Sequence, residues 1–212
     1  MRSPWLDIPL ADYEGHMSLP GIAQAEMLAD EFANLLTEYS PPAVAVVGCA
    51  GGNGFDRISP KVTPRVVGVD INPTYIAEVS RRYASIIPNL ELHVADIQQP
   101  GLSLAPVDLI YTALVFEYVE LEPTLRTLKS ICKPNGILAV VLQLQSLSET
   151  VVSPSPFASL QALVPVMRVV LPATLRAQAA QAGFLLQSLR HLTLQSRKEF
   201  RLQVFRFATA KL

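Results

Sequence analysis

Three places in this chain combine a residue type with a spacing that suits ligand chemistry. The stretch VAVVGCAGGNG, residues 44–54, runs from an apolar, β-branched segment into Gly48, Cys49, Ala50, Gly51 and Gly52. Glycines permit a tight turn and let a ligand approach the backbone closely, and free N–H groups at the start of the next element suit an anionic group. The same residues also describe a buried turn between a strand and a helix. Asp70 ends the run VGVD, 22 positions after Gly48. At that distance a carboxylate can accept hydrogen bonds from both hydroxyls of a ribose. Helix capping is the alternative use, but Asn72, just ahead of Pro73, is better placed for it. Asp96, in VADI, can accept from the amino group of an adenine, or it can close a strand-end turn.

The elements that must position these residues alternate. Apolar residues recur every three or four positions from Gly21 to Tyr39, which predicts an amphipathic helix stopped by Ser40-Pro41-Pro42. Residues 1–20, with four Pro or Gly among them, are expected to be irregular. Strands are predicted at 43–48, 65–70, 90–95, 107–113 and 137–144, with helices from Pro73 to about Ile87 and from Pro123 to Ile131. Wholly apolar runs such as AVAVVG fit strands buried on both faces of a parallel sheet. Pro172 opens a further helix that ends at Gly183. Two last strand-like runs, 184–194 and 200–209, are joined by a short polar link and so form an antiparallel pair. Strand and helix alternating in this way predict an α/β fold with helices on both faces of the sheet.

Composition excludes several classes. Half the residues are hydrophobic, 17% are charged and the net charge is −1. That gives no footprint for a nucleic-acid backbone, and a base-flipping signature is missing. Arg197, Lys198, Arg201 and Arg206 form the one dense basic cluster, read as a solvated strand edge. Two cysteines, Cys49 and Cys132, make no disulfide framework, and no metal-ligand spacing is present, so no metal is expected. The longest apolar run is far too short to span a bilayer, and residues 1–10 lack a secretory pattern; a cytoplasmic location is the default expectation. A phosphate-binding loop ending in Lys and Ser/Thr is absent.

The combination resembles the class I S-adenosylmethionine-dependent methyltransferases from about Pro42 onward, most closely small-molecule enzymes of the quinone-biosynthesis type. The glycine loop is similar to their first motif, Asp70-Ile71 to their ribose-binding acidic strand end, and Asp96-Ile97 to their adenine-flanking motif. Asp108–Ala113 and the residues to Tyr118 look like their fourth strand and its loop, and Cys132–Leu138 like their turn into strand five. The resemblance implies a Rossmann-like, three-layer α/β/α sandwich whose seven-stranded sheet is mostly parallel with an antiparallel last strand. It implies one domain over 1–212, with an N-terminal arm and helix (1–40) and a lid or substrate insertion (145–171). It implies S-adenosyl-L-methionine as cofactor, held by Tyr13, Gly48, Cys49, Ala50, Gly51, Gly52, Asp70, Ile71, Asp96, Ile97, Thr112 and Ala113. The partner would be a small methyl acceptor, and a homodimer is one option.

Two residues depart from the family pattern. Val46 stands where an acid is usual, and Ala50 where a glycine is usual, which suits a negative φ at that position. Val46 removes an anchor for the cofactor amine, so a cofactor-binding protein without turnover is an alternative. A nicotinamide-dependent oxidoreductase shares the glycine loop and the acid about 20 positions on, but it leaves Asp96 and the terminal hairpin without a role. His16 and Glu117 are the candidate bases if the acceptor must lose a proton. His16 and Tyr13 equally well tie the arm to the body, and Glu117 equally well caps a helix. His93 and His191 fall in strands and read as structural. Apolar residues between 147 and 170 suit either an apolar acceptor pocket or a packed helix.

Overall fold

The computed structural model describes residues 2–144, 154 and 156–208. Strands β1 (Ala43–Val47), β2 (Arg65–Asp70), β3 (Asn89–Val94), β4 (Val107–Ala113), β5 (Cys132–Gln143), β6 (Phe184–Thr193) and β7 (Glu199–Phe207) form one sheet in the order β3-β2-β1-β4-β5-β7-β6. The first five run parallel, and β7 runs antiparallel to both its neighbours. All of β1 is buried, as its unbroken apolar run requires. Val44 and Val46 pack with Phe32, Leu35 and Val79 on one face; Ala45 and Val47 pack with Leu125, Leu128 and Leu175 on the other. Helices α2 (Gln24–Tyr39) and α3 (Pro73–Tyr83) cover the first face, and α4 (Leu121–Ser130) and α5 (Pro172–Ala182) the second. This is the expected three-layer α/β/α sandwich with its mostly parallel, Rossmann-like sheet. Full burial of an aromatic such as Phe32 contributes roughly 1.5–3 kcal/mol.

Several local expectations change. The segment read as irregular contains helix α1 (Leu10–Met17), which buries His16 and Met17. A helix this short has little intrinsic stability and is fixed by packing, so its periodicity is faint in the sequence. Helix α2 starts at Gln24, because Ile22 and Ala23 still donate to Leu19 in a turn. Asn72 does cap α3, accepting from the Thr74 N–H at 2.9 Å. That helix ends at Tyr83, where Ile86 and Ile87 turn back onto the Tyr83 carbonyl. Pro123 lies in the first turn of α4, where its missing N–H costs no bond. The Pro134-Asn135-Gly136 turn is an irregularity inside β5, which pairs Val107 with Cys132 and then Leu109 with Ile137. Of the basic cluster, Arg197 and Arg206 are exposed, but Lys198 is only 5% exposed. Arg197 takes φ +66 in the hairpin turn, and Lys198 points inward. Residues 145–153 and 155 of the expected insertion, and Thr209 of the last strand, lie outside the described residues. The described part of the insertion forms a short 3-10 helix, Ala158–Leu163. Among the described residues, no helix is long and apolar enough to cross a membrane.

Candidate active site

The sheet order reverses between β1 and β4, with β2 beyond one and β5 beyond the other. Ligands of open α/β sheets bind at the carboxyl ends of the strands at such a point. A cleft of about 710 Å³ opens there. The glycine loop forms its floor. Gly48 takes φ +72, and an added Cβ would lie 2.3 Å from Val115 of the loop after β4, so the two strand-end loops meet only because this residue has no side chain. Gly48 and Cys49 donate to the Val69 carbonyl at 2.8 and 3.2 Å. Ala50 sits at φ +45, contrary to the negative φ expected for an alanine. The reversal is held by the Gly52 N–H on the Cys49 carbonyl at 2.8 Å and by the Ala50 N–H on Asp70 Oδ2 at 2.9 Å.

Asp70 is therefore also a latch. Its Oδ1 accepts from the Asn72 N–H at 2.9 Å, and the carboxylate is 8% exposed. Burial pushes its pKa above the ordinary aspartate value, opposed by N–H donors from Asn72, Ala50 and Ile71. Asp96 lines the cleft and closes a strand-end turn as well, its Oδ1 accepting from the Gln98 N–H at 3.0 Å.

The expected site residues divide into three groups. Tyr13, Gly48, Ala50, Asp70, Ile71, Asp96, Ile97 and Ala113 border the cleft. Gly51 and Gly52 border the adjoining recess under α1. Cys49 and Thr112 are buried away from the cleft wall; Cys49 packs in the core, where burial raises its thiol pKa. Sequence reasoning missed Trp5, Tyr75 and Tyr118, which also border the cleft. A lone tryptophan in a polar, proline-rich arm was the available signal for the first; Tyr118 fell within the loop after the fourth strand that the resemblance marks, and Tyr75 carried no local signal.

The arm roofs the cleft. Trp5 makes edge contacts with Tyr13 and Tyr118 at 5.5 and 5.0 Å between ring centroids. Asn72 donates to the Trp5 carbonyl at 2.8 Å, and the Tyr75 hydroxyl to the Ile8 carbonyl at 2.9 Å. Arg82 of α3 grips Glu14 of α1 with two nitrogens, at 2.5 and 3.0 Å, and donates to the Gly51 carbonyl at 3.1 Å. A Cβ on Gly51 would lie 2.0 Å from the Glu14 carboxylate, so the grip needs glycine there.

Beyond Tyr13, Trp5, Leu114 and Tyr118, which border both spaces, lies a second, smaller chamber. His16, Gln24 and Lys198 face it, beside Met17, Leu160 and Leu163. His16 is 6% exposed, and burial, then the Lys198 charge, lower its pKa. Glu117 is fully buried and does not border this chamber; its Oε1 accepts from the Gln143 N–H at 2.7 Å. Burial pushes its carboxyl to about 7. Leu114 takes φ +57 between the two spaces. A non-glycine residue there stores about 1–3 kcal/mol of strain, a feature of functional sites.

Residues 44–136 match the model of a family described as a methyltransferase domain. Comparison with curated proteins gives no match. Among solved structures, the N-methyltransferase NodS from Bradyrhizobium japonicum, in complex with S-adenosyl-L-homocysteine, is similar at 16% identity and a TM-score of 0.67, over 90% of this chain and 89% of that one. Magnesium protoporphyrin IX methyltransferase from Synechocystis, also with S-adenosylhomocysteine, is similar at 14% identity and a TM-score of 0.66, over 88% and 84%. The cyclase SpnF is similar at 13% identity and a TM-score of 0.65, over 85% and 82%. At these identities the likeness is one of fold. The matched segment holds β1 to β4 and the start of β5, and so the cleft floor; the arm and the terminal hairpin fall outside it.

Proposed function

We propose that this protein binds S-adenosyl-L-methionine in the cleft and transfers its methyl group to a small, mostly apolar or aromatic acceptor in the adjoining chamber. One observation carries the reading: the glycine loop, Asp70 and Asp96 border a single cleft at the switch point of a methyltransferase fold. The residues suit the cofactor. Asp70 keeps acceptor capacity for ribose hydroxyls beyond its loop bonds, since a carboxylate has about four lone-pair sites. Asp96 borders the cleft and suits the adenine amine, and the apolar Ile71 and Ile97, which border it too, suit the faces of a base. Tyr13 bridges from this cleft to the second chamber. When bound, the cofactor supplies a methyl group already activated by its sulfonium.

The protein's task is then to align the acceptor and exclude water. The Trp5–Tyr13–Tyr118 roof serves exclusion. His16 is the better placed candidate base, because it faces the chamber and its lowered pKa keeps it neutral. Glu117 acts as a strut under the loop after β4. Calorimetric titration with S-adenosylhomocysteine and with NADH tests the assignment; NADH binding without S-adenosylhomocysteine binding overturns it.

Val46 and the left-handed Ala50 favour a second reading, a protein that holds the cofactor without turnover. Val46 is an apolar core residue, so β1 offers no carboxylate for the cofactor amine. Release of S-adenosylhomocysteine with any acceptor of a broad panel rejects that reading.

A further inference from the structure

The second chamber has a polar end that the apolar-acceptor description does not use. His16 Nδ1 and Gln24 Nε2 are buried and make no hydrogen bond among the described residues, and both side chains are more than nine-tenths buried. Both border the chamber. A buried amide donor without a partner is costly to keep, so such a pair marks a place where a ligand completes the bonding. The surroundings state the sign of that ligand group. Gln24 opens α2, whose N-cap residue Ala23 provides no capping side chain, so the positive end of the helix dipole lies at the chamber. Lys198 borders the same space and lowers the His16 pKa through its charge. The remaining walls are mostly apolar or aromatic, with Met17, Leu160, Leu163 and Met167 among them, beside Gln143.

Building on the methyl-transfer reading, we propose that this chamber selects a hydroxyl acceptor on a compact apolar or aromatic body, with Gln24 donating to the acceptor oxygen and His16 taking its proton. His16 removes the O–H proton; the oxygen lone pair forms the new C–O bond to the methyl; the methyl–sulfur bond breaks, and its electron pair stays on sulfur. The proton then leaves His16 for solvent. The α2 terminus and the Gln24 amide stabilise the negative charge that develops on oxygen. An amine or thiol acceptor gains less from this arrangement, because neither presents an oxygen to the Gln24 donor.

The test uses the full chain loaded with S-adenosylhomocysteine and two probes of equal shape, phenol and toluene. Affinities are read by calorimetry, and the His16 imidazole is followed by 15N NMR with His93 and His191 as internal references. Phenol is expected to bind about tenfold tighter than toluene, the usual worth of one buried hydrogen bond, and to shift the His16 signal alone. Gln24→Met should shrink the preference to what the His16 bond alone supplies, leave S-adenosylhomocysteine affinity unchanged and raise Tm, since it removes an unpaired buried donor. Equal affinity for the two probes, no binding of either, or a preference undiminished by Gln24→Met each overturns the proposal. Failure of S-adenosylhomocysteine to bind is separately visible and overturns the underlying functional reading, and this proposal with it.

Discussion

The two sides of this active site are built by different means. On the cofactor side, the determinants sit at the ends of consecutive parallel strands, held by short-range bonds at one end of the sheet: the Gly48 N–H on the Val69 carbonyl, and the Ala50 and Asn72 N–H groups on the Asp70 carboxylate. On the acceptor side, the chamber is assembled from α1, the start of α2, the hairpin turn and the helix at 158–163, far apart in sequence and joined through side chains. The first side is a property of a fold shared with proteins of very different chemistry, a cyclase among them. On the proposed function, the fold locates the cofactor, and the elements around the second chamber choose what is done with it.

The largest expected effect tests the seam between the sides. The folded protein holds the Glu117 proton more tightly than the unfolded chain does. Its stabilising contribution is therefore complete below the ordinary value of 4.5 and is lost as pH rises through about 7. Over that window the loss is on the order of 3 kcal/mol. Glu117→Gln should abolish it, so urea denaturation of variant and parent at pH 5 and 8 should diverge mainly at pH 8. Equal curves at both pH values would show that this acid does not couple the loop after β4 to β5.

On the cofactor side, Asp70→Ala should weaken S-adenosylhomocysteine binding by about 2 kcal/mol, the usual cost of stranding polar groups, and should also lower Tm, because the Ala50 and Asn72 N–H groups lose their acceptor. A change in Tm with unchanged affinity in calorimetry would reduce Asp70 to its latch role. On the acceptor side, Glu14→Gln should cost only about 0.5 kcal/mol, since the Glu14–Arg82 pair is roughly a third exposed, at 37% and 31%. Measured by denaturant titration, a loss several times larger would mean that the arm is integral to the fold rather than attached to it. The smallest effect sharpens the first comparison. Ala50→Gly should stabilise by about 0.5 kcal/mol, as relief of a left-handed alanine outweighs the added freedom of the unfolded chain. Destabilisation in the same assay would show that the Ala50 methyl packs favourably in the cleft floor.

The same division explains what could be read from the sequence. The sheet, both layers of helices and the reversed β7 follow from local periodicity and from prolines and glycines at element ends. Gly48, Asp70 and Asp96 were legible because strand-end chemistry needs those residue types at those spacings. Gln24 was not, since it reads as one more polar position at the start of an amphipathic helix. Lys198 was misread as a solvated edge, because nothing local shows that Arg197 turns the chain at φ +66 and carries the next side chain inward. Helix α1 was missed, although His16 and Tyr13 within it were singled out, because its ordering comes from Trp5, Asp12 and Glu14 contacts rather than from its own propensity.

The roof over the cleft belongs to no sheet. It is attached through the side chains of Asn72, Tyr75, Arg82 and Ser159. Such an attachment can come undone without disturbing a single β ladder, so amide protons of residues 10–17 should exchange with solvent by local opening well before those of β1 and β4. On the proposed function, a spent nucleoside leaving past Trp5 would be released no faster than the arm undocks.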